Sequence, residues 1–417
     1  MTTACPHSAH GRRKTVREGE RTARGVEVID GVWHISELPL VKEVLRAGNT
    51  TVQAGFNSDM VHAEGERAFK DPILFMDGPE HRRQRSMIAR YFAPATVSRR
   101  YRDLMIERAD ALVAGIAADL DKGRTVDLDD LSLLYSVEVA AKVIGLTNSR
   151  PEHLARRLER VFTVPAQMPQ SHTDEETEPA PSLKNRFLQF SNTARALPAV
   201  GIFFVWDVRP AVVARRRERD EDVISHLIDQ GYSDGEILSE CLTYGAAGMV
   251  TTREYISVVT WHLLEDGDLR RTYLAAEEAE RYDILHEILR LEPVVGSLYR
   301  RATEDMTLLE GDVEHHIPAG AVMALSIRGA NADPEQVGAD PLGLCPGRDL
   351  AKGVKPEAMS FGDGNHRCPG NALAIQETDI LLTRLLRLPL TLAHAPTIDW
   401  LDLIAGYEIR GVRLAHA

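Results

Sequence analysis

The chain is poor in cysteine, has no excess of positive charge and lacks any long apolar run, and each shortage closes off a class of protein. Its 417 residues include four cysteines, Cys5, Cys241, Cys345 and Cys368, at irregular spacings. That is too few for a disulfide framework and predicts a reducing compartment. The formal net charge of −13 makes nucleic acid an unsuitable partner for the molecule as a whole. The longest apolar stretch, Leu197 to Trp206, falls far short of the ~20 residues needed to cross a bilayer. The opening MTTACPHSAHGRRKTVREGERTARG is polar and charged, with no apolar core for a signal peptide. A soluble, cytoplasmic protein without membrane or nucleic-acid partners is expected.

What the chain does have is helical periodicity. From Pro79 onward, apolar residues recur at helical spacing over about 79–92, 96–118, 130–146, 151–163, 185–229, 234–266, 268–292 and 371–388. Strand-like pieces are short and cluster at 294–325 and near the C-terminus. Before the first helix, Val26–Ile35 reads as two strands around an Asp30-Gly31 turn, and Ser36 is placed to cap a helix running to Arg46 and stopped by Gly48. Residues 1–24 are expected to be a disordered tail, and 169–183, polar and proline-rich, a flexible loop. The fold class expected is mainly α with a small β region, as a single domain over 25–417.

The densest chemistry is in Phe361–Ala374, FGDGNHRCPGNALA. Cys368 is framed by Gly362, Gly364 and Gly370, which let backbone approach a flat ligand, and by Phe361 and His366. Backbone N–H groups of such a loop, and the N-terminus of a helix beginning just beyond it, both favour thiolate over thiol. These features predict a thiolate held against a large ligand.

This stretch resembles the haem-ligand loop of the cytochromes P450, F-G-x-G-x-H-x-C-x-G-x-x-x-A, at every specified position. The resemblance extends from about residue 26 to the end. It implies a P450 fold, heme b as cofactor with Cys368 as axial thiolate, and O₂ as co-substrate. It also implies cofactor contacts from Phe361, Gly362, Gly370 and His366. His81 and Arg85 lie one turn apart in Asp77-Gly-Pro-Glu-His-Arg-Arg-Gln-Arg85 and match the family helix that binds the haem propionates. Arg300 matches the arginine of R-x-A-T-E-D as a further donor. Ala358 stands where the family often has a histidine, so the four remaining donors carry the propionates.

Glu287 and Arg290 have the family's E-x-x-R spacing on an apolar helix, which predicts a partly buried structural pair. Arg348 is the nearest candidate for the family's third partner, the usual position being Gly343. The segment 234–266 opens with a Ser233/Glu236 capping box, and its centre reads Gly245-Ala-Ala-Gly-Met-Val-Thr-Thr252. The family pattern [AG]-G-x-[DE]-T-[TS] is met at Ala247, Gly248, Thr251 and Thr252, which implies that Thr251 relays protons for O–O cleavage. Val250 replaces the acid of that pattern. Glu254, one turn on, is either a substitute acid or a solvated side chain, and the solvated state is the expectation.

Six arginines, Arg82, Arg83, Arg90, Arg99, Arg100 and Arg102, are expected to form a basic docking face for an acidic electron donor, a ferredoxin served by its reductase. Val294, Val295 and Leu298 predict an apolar small-molecule substrate. Phe203, Phe204 and Trp206 are either a lid over its channel or the core of a helix pair. The activity implied is hydroxylation of an apolar or natural-product-like molecule, a role in secondary metabolism. The missing acid at Val250 motivates an alternative, oxidative C–C or C–N coupling of aromatic substrates. A non-catalytic haem-thiolate sensor is the reading from another class.

Overall fold

The structure, a computed structural model, describes residues 10–17, 25–55, 71–162, 198–401 and 406–417. The loop expected at 169–183 lies outside them. Most of the periodic stretches form helices, broken where polar residues can restart the backbone. The 96–118 stretch is two helices, Pro94–Arg100 and Arg102–Leu120, meeting at Tyr101. The 268–292 stretch divides into Gly267–Ala275 and Glu278–Leu291, because Glu277 and Glu280 form a capping box that opens a new helix. Within the described part of 185–229, one helix ends at Arg217, and Asp222 caps the next, Val223–Asp229, by accepting from the Ser225 N–H. An apolar period does not register such caps.

The central segment opens as expected with the Ser233/Glu236 capping box on Asp234–Gly245. A π-helical turn follows over Ala246–Val250, then regular helix over Thr251–Glu265. The Ser136 hydroxyl donates to the Met249 carbonyl at 3.1 Å and ties the π turn to the neighbouring Leu128–Ile144 helix. Ile256, Val258, Val259 and Leu263 are completely buried, each worth about 1.5–3 kcal/mol by removal from water.

A five-stranded sheet forms the smaller lobe, in the order Val26–Ile29, Val32–Ile35, Val322–Ser326, Ser297–Ala302, Thr51–Ala54. Only the Val32–Ile35/Val322–Ser326 pair is parallel. The first hairpin turns at Asp30 and Gly31, both with positive φ (51° and 74°), as a two-residue hairpin turn of that hand requires. Ser36 does not cap the helix after it. That helix is Leu38–Arg46, its N-cap is Glu37, and its first N–H is held by the Asp333 carboxylate at 3.2 Å, while the Ser36 hydroxyl turns back to the Gly25 carbonyl.

Two further expectations are corrected. Residues 10–17 fall inside the supposed disordered tail, yet they pack onto the body. The Arg13 N–H donates to the Leu342 carbonyl at 3.1 Å, and the fully buried Thr15 donates to Glu292 from its N–H at 3.1 Å and from its hydroxyl at 2.5 Å. A polar segment becomes ordered when a buried carboxylate needs its donors. Cys345 is disulfide-bonded, a bridge that the expectation of a reducing compartment and no disulfide framework did not foresee.

Candidate active site

The Cys368 loop sits between the two lobes. Its closure is a hydrogen bond from the Cys368 N–H to the Phe361 carbonyl, 2.8 Å. Gly364 has a φ of 65°, and a Cβ there would collide with the Leu45 carbonyl of the Leu38–Arg46 helix, so only glycine lets that helix approach. Arg46 pairs with Asp363 at 3.0 Å across the same contact. Gly370 is the N-cap of the Asn371–Leu385 helix, and a Cβ on it would stand 3.9 Å from the Cys368 sulfur. Burial raises the Cys368 thiol above its ordinary range, while the Gly370 N–H and the Arg85 and Arg367 guanidiniums pull it down. A coordinated metal ion would secure a thiolate, since it deprotonates a thiol outright.

Four side chains expected to bind an anion converge beside this loop. His81, buried on the Gly78–Phe92 helix, stacks on His366 with ring centroids 4.1 Å apart. Neither ring nitrogen of His81 has a hydrogen-bond partner among the described residues. His366 bonds Asp77 through Nε2 at 2.9 Å, and Arg300, 3% exposed, donates to Gln53 at 2.5 Å. The Arg85 guanidinium reaches the Arg367 carbonyl. Burial, then the positive neighbours His366 and Arg85, push His81 down to about 3, and burial lowers Arg300 to about 10. Asp77 is the one acid that counters charge on His81, His366 and Arg300. With both imidazoles held toward the neutral form, Arg85 and Arg300 carry positive charge against the single carboxylate of Asp77, and the His81 nitrogens are unused, an arrangement that suits an anionic ligand.

Behind the loop, the structure brings Glu287, Arg290 and Arg348 together. Arg290, completely buried, makes a bidentate pair with Glu287 at 2.7 and 2.8 Å, and Arg348 adds a bond to Glu287 at 3.1 Å. The Cys345 N–H also donates to Glu287, 2.9 Å, and Arg290 and Arg348 both reach the Gly343 carbonyl, at 3.4 and 2.7 Å. Asn331 was not anticipated. Its amide bonds the Arg290 carbonyl and the Ser360 hydroxyl and accepts from the Met359 N–H, joining this helix to the segment that leads into Phe361.

On the central helix, every residue from Thr252 to Leu263 is buried, whereas Ala247 is exposed and Gly248, Val250 and Thr251 are partly accessible. An accessible patch thus interrupts an otherwise buried helix. The Thr251 hydroxyl donates to the Ala247 carbonyl at 2.6 Å. Thr252 faces the other way and hydrogen-bonds Glu377, whose fully buried carboxyl is raised far above its ordinary range by burial. Glu254 is neither solvated nor free to act as an acid. It is 0% exposed, accepting from the Ile409 N–H at 2.6 Å, Arg410 at 2.8 Å and Arg253 at 2.9 Å. Glu377 escaped the sequence reading because it lies 125 positions from Thr252 and within an apolar period.

The expected docking face is only partly basic. Arg83 pairs with Glu80 at 2.7 Å, Arg100 with Glu221, and Arg102 with Glu278 at 2.7 Å, while Arg82, Arg90 and Arg99 form no ion pair among the described residues. Phe203 is core, Phe204 half-buried and Trp206 63% exposed, so the three do not act as one cluster.

The family model for Cytochrome P450 matches residues 31–268 and 283–388. The chain belongs to the cytochrome P450 family. Nocardicin C N-oxygenase of Nocardia uniformis subsp. tsuyamanensis is 29% identical over 384 residues, 88% of this chain and 85% of the relative. Erythromycin C-12 hydroxylase of Saccharopolyspora erythraea is 28% identical over 364 residues, 85% and 81% of the two chains. The solved structure of CalO2 superimposes with a TM-score of 0.72 at 23% identity, covering 93% of this chain and 91% of CalO2, and shows the shared fold. The P450 is thus an oxidoreductase of the monooxygenase class with a mainly α fold. A haem fits the residues present: a sulfur under a helix N-terminus, an accessible helix patch for a flat ring, and unpartnered His81 nitrogens amid excess positive charge for its carboxylates. No helix is long and apolar enough to cross a membrane among the described residues.

Proposed function

We propose that this P450 holds heme b through Cys368 and hydroxylates an apolar, natural-product-like small molecule, with electrons from a separate ferredoxin and its reductase. The observation that carries the reading is the buried cluster of His81, Arg85, Arg300 and His366 beside Cys368, short of counter-charge and with donors to spare. Bound haem supplies O₂ activation with two electrons and two protons. His81, Arg300 and His366 would hold its carboxylates, Arg85 would add positive field near the sulfur, and Phe361, Gly362 and Gly370 would form the bed. Ala247, with only a methyl, and Gly248, with no side chain, would leave room for a flat group against the helix. Glu287, Arg290 and Arg348 hold the loop's approach. Relatives named as an N-oxygenase and a hydroxylase support this substrate class.

Thr251 has an accessible hydroxyl that donates to the Ala247 carbonyl, and the neighbouring Thr252 hydrogen-bonds Glu377. Burial disfavours charge on that carboxyl and raises it well above its ordinary range, which makes Glu377 the acid proposed to serve in place of the one absent at Val250. Thr252 fixes it one residue from Thr251. With an acid available at Glu377, hydroxylation is preferred over the coupling alternative, which rests on Val250 alone. Thr251→Ala and Glu377→Gln are expected to raise peroxide release per electron pair, and unchanged coupling in both variants would reject this path.

The deciding experiment is the ferrous–CO spectrum of the purified protein and of Cys368→Ser. The thiolate-type spectrum is expected in the first and absent from the second. Its persistence in Cys368→Ser would assign the iron to another residue. Spin-state titration of the ferric protein against terpenes, macrolides, fatty acids and aromatic cyclic dipeptides then identifies the substrate class.

A further inference from the structure

Glu254 lies three residues beyond Thr251, is 0% exposed, and spends both carboxylate oxygens on the C-terminal β-hairpin and on Arg253. The hairpin pairs Thr397–Leu401 with Gly406–Arg410, with Trp400 opposite Tyr407 and Ile398 opposite Ile409. One oxygen of Glu254 takes the Ile409 N–H and the other takes Arg410 and Arg253. Arg410 also reaches Glu408 at 2.7 Å, and Arg253 reaches Glu159 at 3.2 Å. The next residue after the hairpin is tied down as well, the Gly411 N–H donating to Asp129 at 2.6 Å. At its other end the hairpin touches the wall expected to face substrate. Gly406 makes a β-bridge with Val295, and Leu298, three residues on, stands 3.5 Å from where a Cβ would lie on Gly362 of the cysteine loop.

A buried carboxylate is a costly way to hold two elements together, because an apolar contact of the same volume does so without desolvating charge. What an ion pair with directed bonds adds is register. A hairpin that slid by one residue along the helix would leave Glu254 buried and unpaired, at a cost of several kcal/mol.

We propose that Glu254 is a positioning residue for substrate selection: it locks the paired strands Thr397–Leu401 and Gly406–Arg410 to the turn of the central helix that follows Thr251, and through Gly406 and Val295 fixes the pocket wall opposite the Cys368 loop. The proposal rests on the haem-thiolate reading only in placing the pocket at that loop. The lock favours rigid apolar substrates that fill the space up to this wall, and it leaves the iron and its ligand untouched.

The test uses the haem-loaded Glu254→Gln and Arg410→Met variants. Arg410→Met breaks the lock from its partly exposed side and carries the test if Glu254→Gln fails to fold. Two probes bind the iron and differ in reach: imidazole, too small to meet the wall, and clotrimazole, which fills the pocket. In both variants the ferrous–CO spectrum is expected to match the parent, the imidazole Kd to stay within about twofold, and the clotrimazole Kd to change about fivefold or more, a difference near 1 kcal/mol. Amide hydrogen exchange is expected to quicken at 406–411 and not at 371–385. Unchanged exchange at 406–411, or equal shifts for the two azoles, would overturn the lock. A parent protein without the thiolate-type spectrum would reject the haem reading instead, and the exchange result would still decide whether Glu254 holds the hairpin.

Discussion

Two buried charge clusters flank the cysteine loop, and they are built on opposite principles. In the Glu287–Arg290–Arg348 cluster the carboxylate takes two arginines and a backbone N–H, and the arginines' remaining donors find carbonyls at Asn331, Pro341, Gly343 and Val337. In the His81–Arg85–Arg300–His366 cluster, positive charge outweighs its one nearby acid, and His81 has two orphaned nitrogens. Buried polar groups are satisfied in native proteins unless something else is meant to satisfy them. The first cluster is scaffold, complete in the protein alone. The second is left incomplete by the protein's own groups, as the proposed anion-binding role requires.

The largest effect expected from this contrast is on the complete cluster. Arg290→Ala leaves Glu287 buried without its bidentate partner, a loss of about 3–5 kcal/mol and a large share of the stability of a domain. The expected outcome is little or no folded protein, read by soluble yield and thermal unfolding. Normal unfolding would mean that Arg348 and the Cys345 N–H alone satisfy Glu287.

The half-built cluster predicts a different pattern. His81→Phe removes one charge-assisted bond to the haem, worth about 1.5–3 kcal/mol, and should speed haem transfer to an acceptor protein about tenfold or more. The same substitution removes two unsatisfied nitrogens, so the unfolding temperature of the haem-free protein should hold or rise. An unfolding temperature that holds or rises without haem, together with faster haem loss, would be the signature of a binding group. Loss of stability in both states would move His81 into the scaffold class.

How far this contrast was legible in the sequence depends on chain distance. Cys368, its glycines and the His81/Arg85 pair are read from contiguous residues, and the structure brings them together. Arg348, proposed on proximity in sequence alone, does reach Glu287. Spacing could not reveal what a side chain meets across the fold. Glu254, next to Thr251 on paper, turns to a hairpin 155 residues away, and Glu377, hidden in an apolar run, comes up beneath Thr252. Residues 10–17 looked dispensable for the same reason, their partner Glu292 being far along the chain.

An orphan outside the site tests the rule, because no ligand explains it. Asp129, buried on the Leu128–Ile144 helix, gives one oxygen to the Gly411 N–H and leaves Oδ1 unpartnered. Burial pushes its carboxyl up to about 6, against the Gly411 bond and Arg410, which favour the charge. A folded pKa above the unfolded one means that ionisation costs stability: nothing is lost below about pH 4, the cost grows as pH rises, and it is complete above about pH 6. Asp129→Asn keeps an acceptor for Gly411 and cannot ionise. It should stabilise the protein at pH 7 by about 1–3 kcal/mol, a rise of roughly 2 °C or more in Tm, with a smaller gain at pH 5. His81 and Asp129 are then told apart by experiment: relieving the first weakens haem binding, while relieving the second raises stability and leaves haem transfer unchanged. An Asp129→Asn variant that transferred haem faster would show that an orphaned buried group outside the site can still serve the ligand, and the rule would have to be given up.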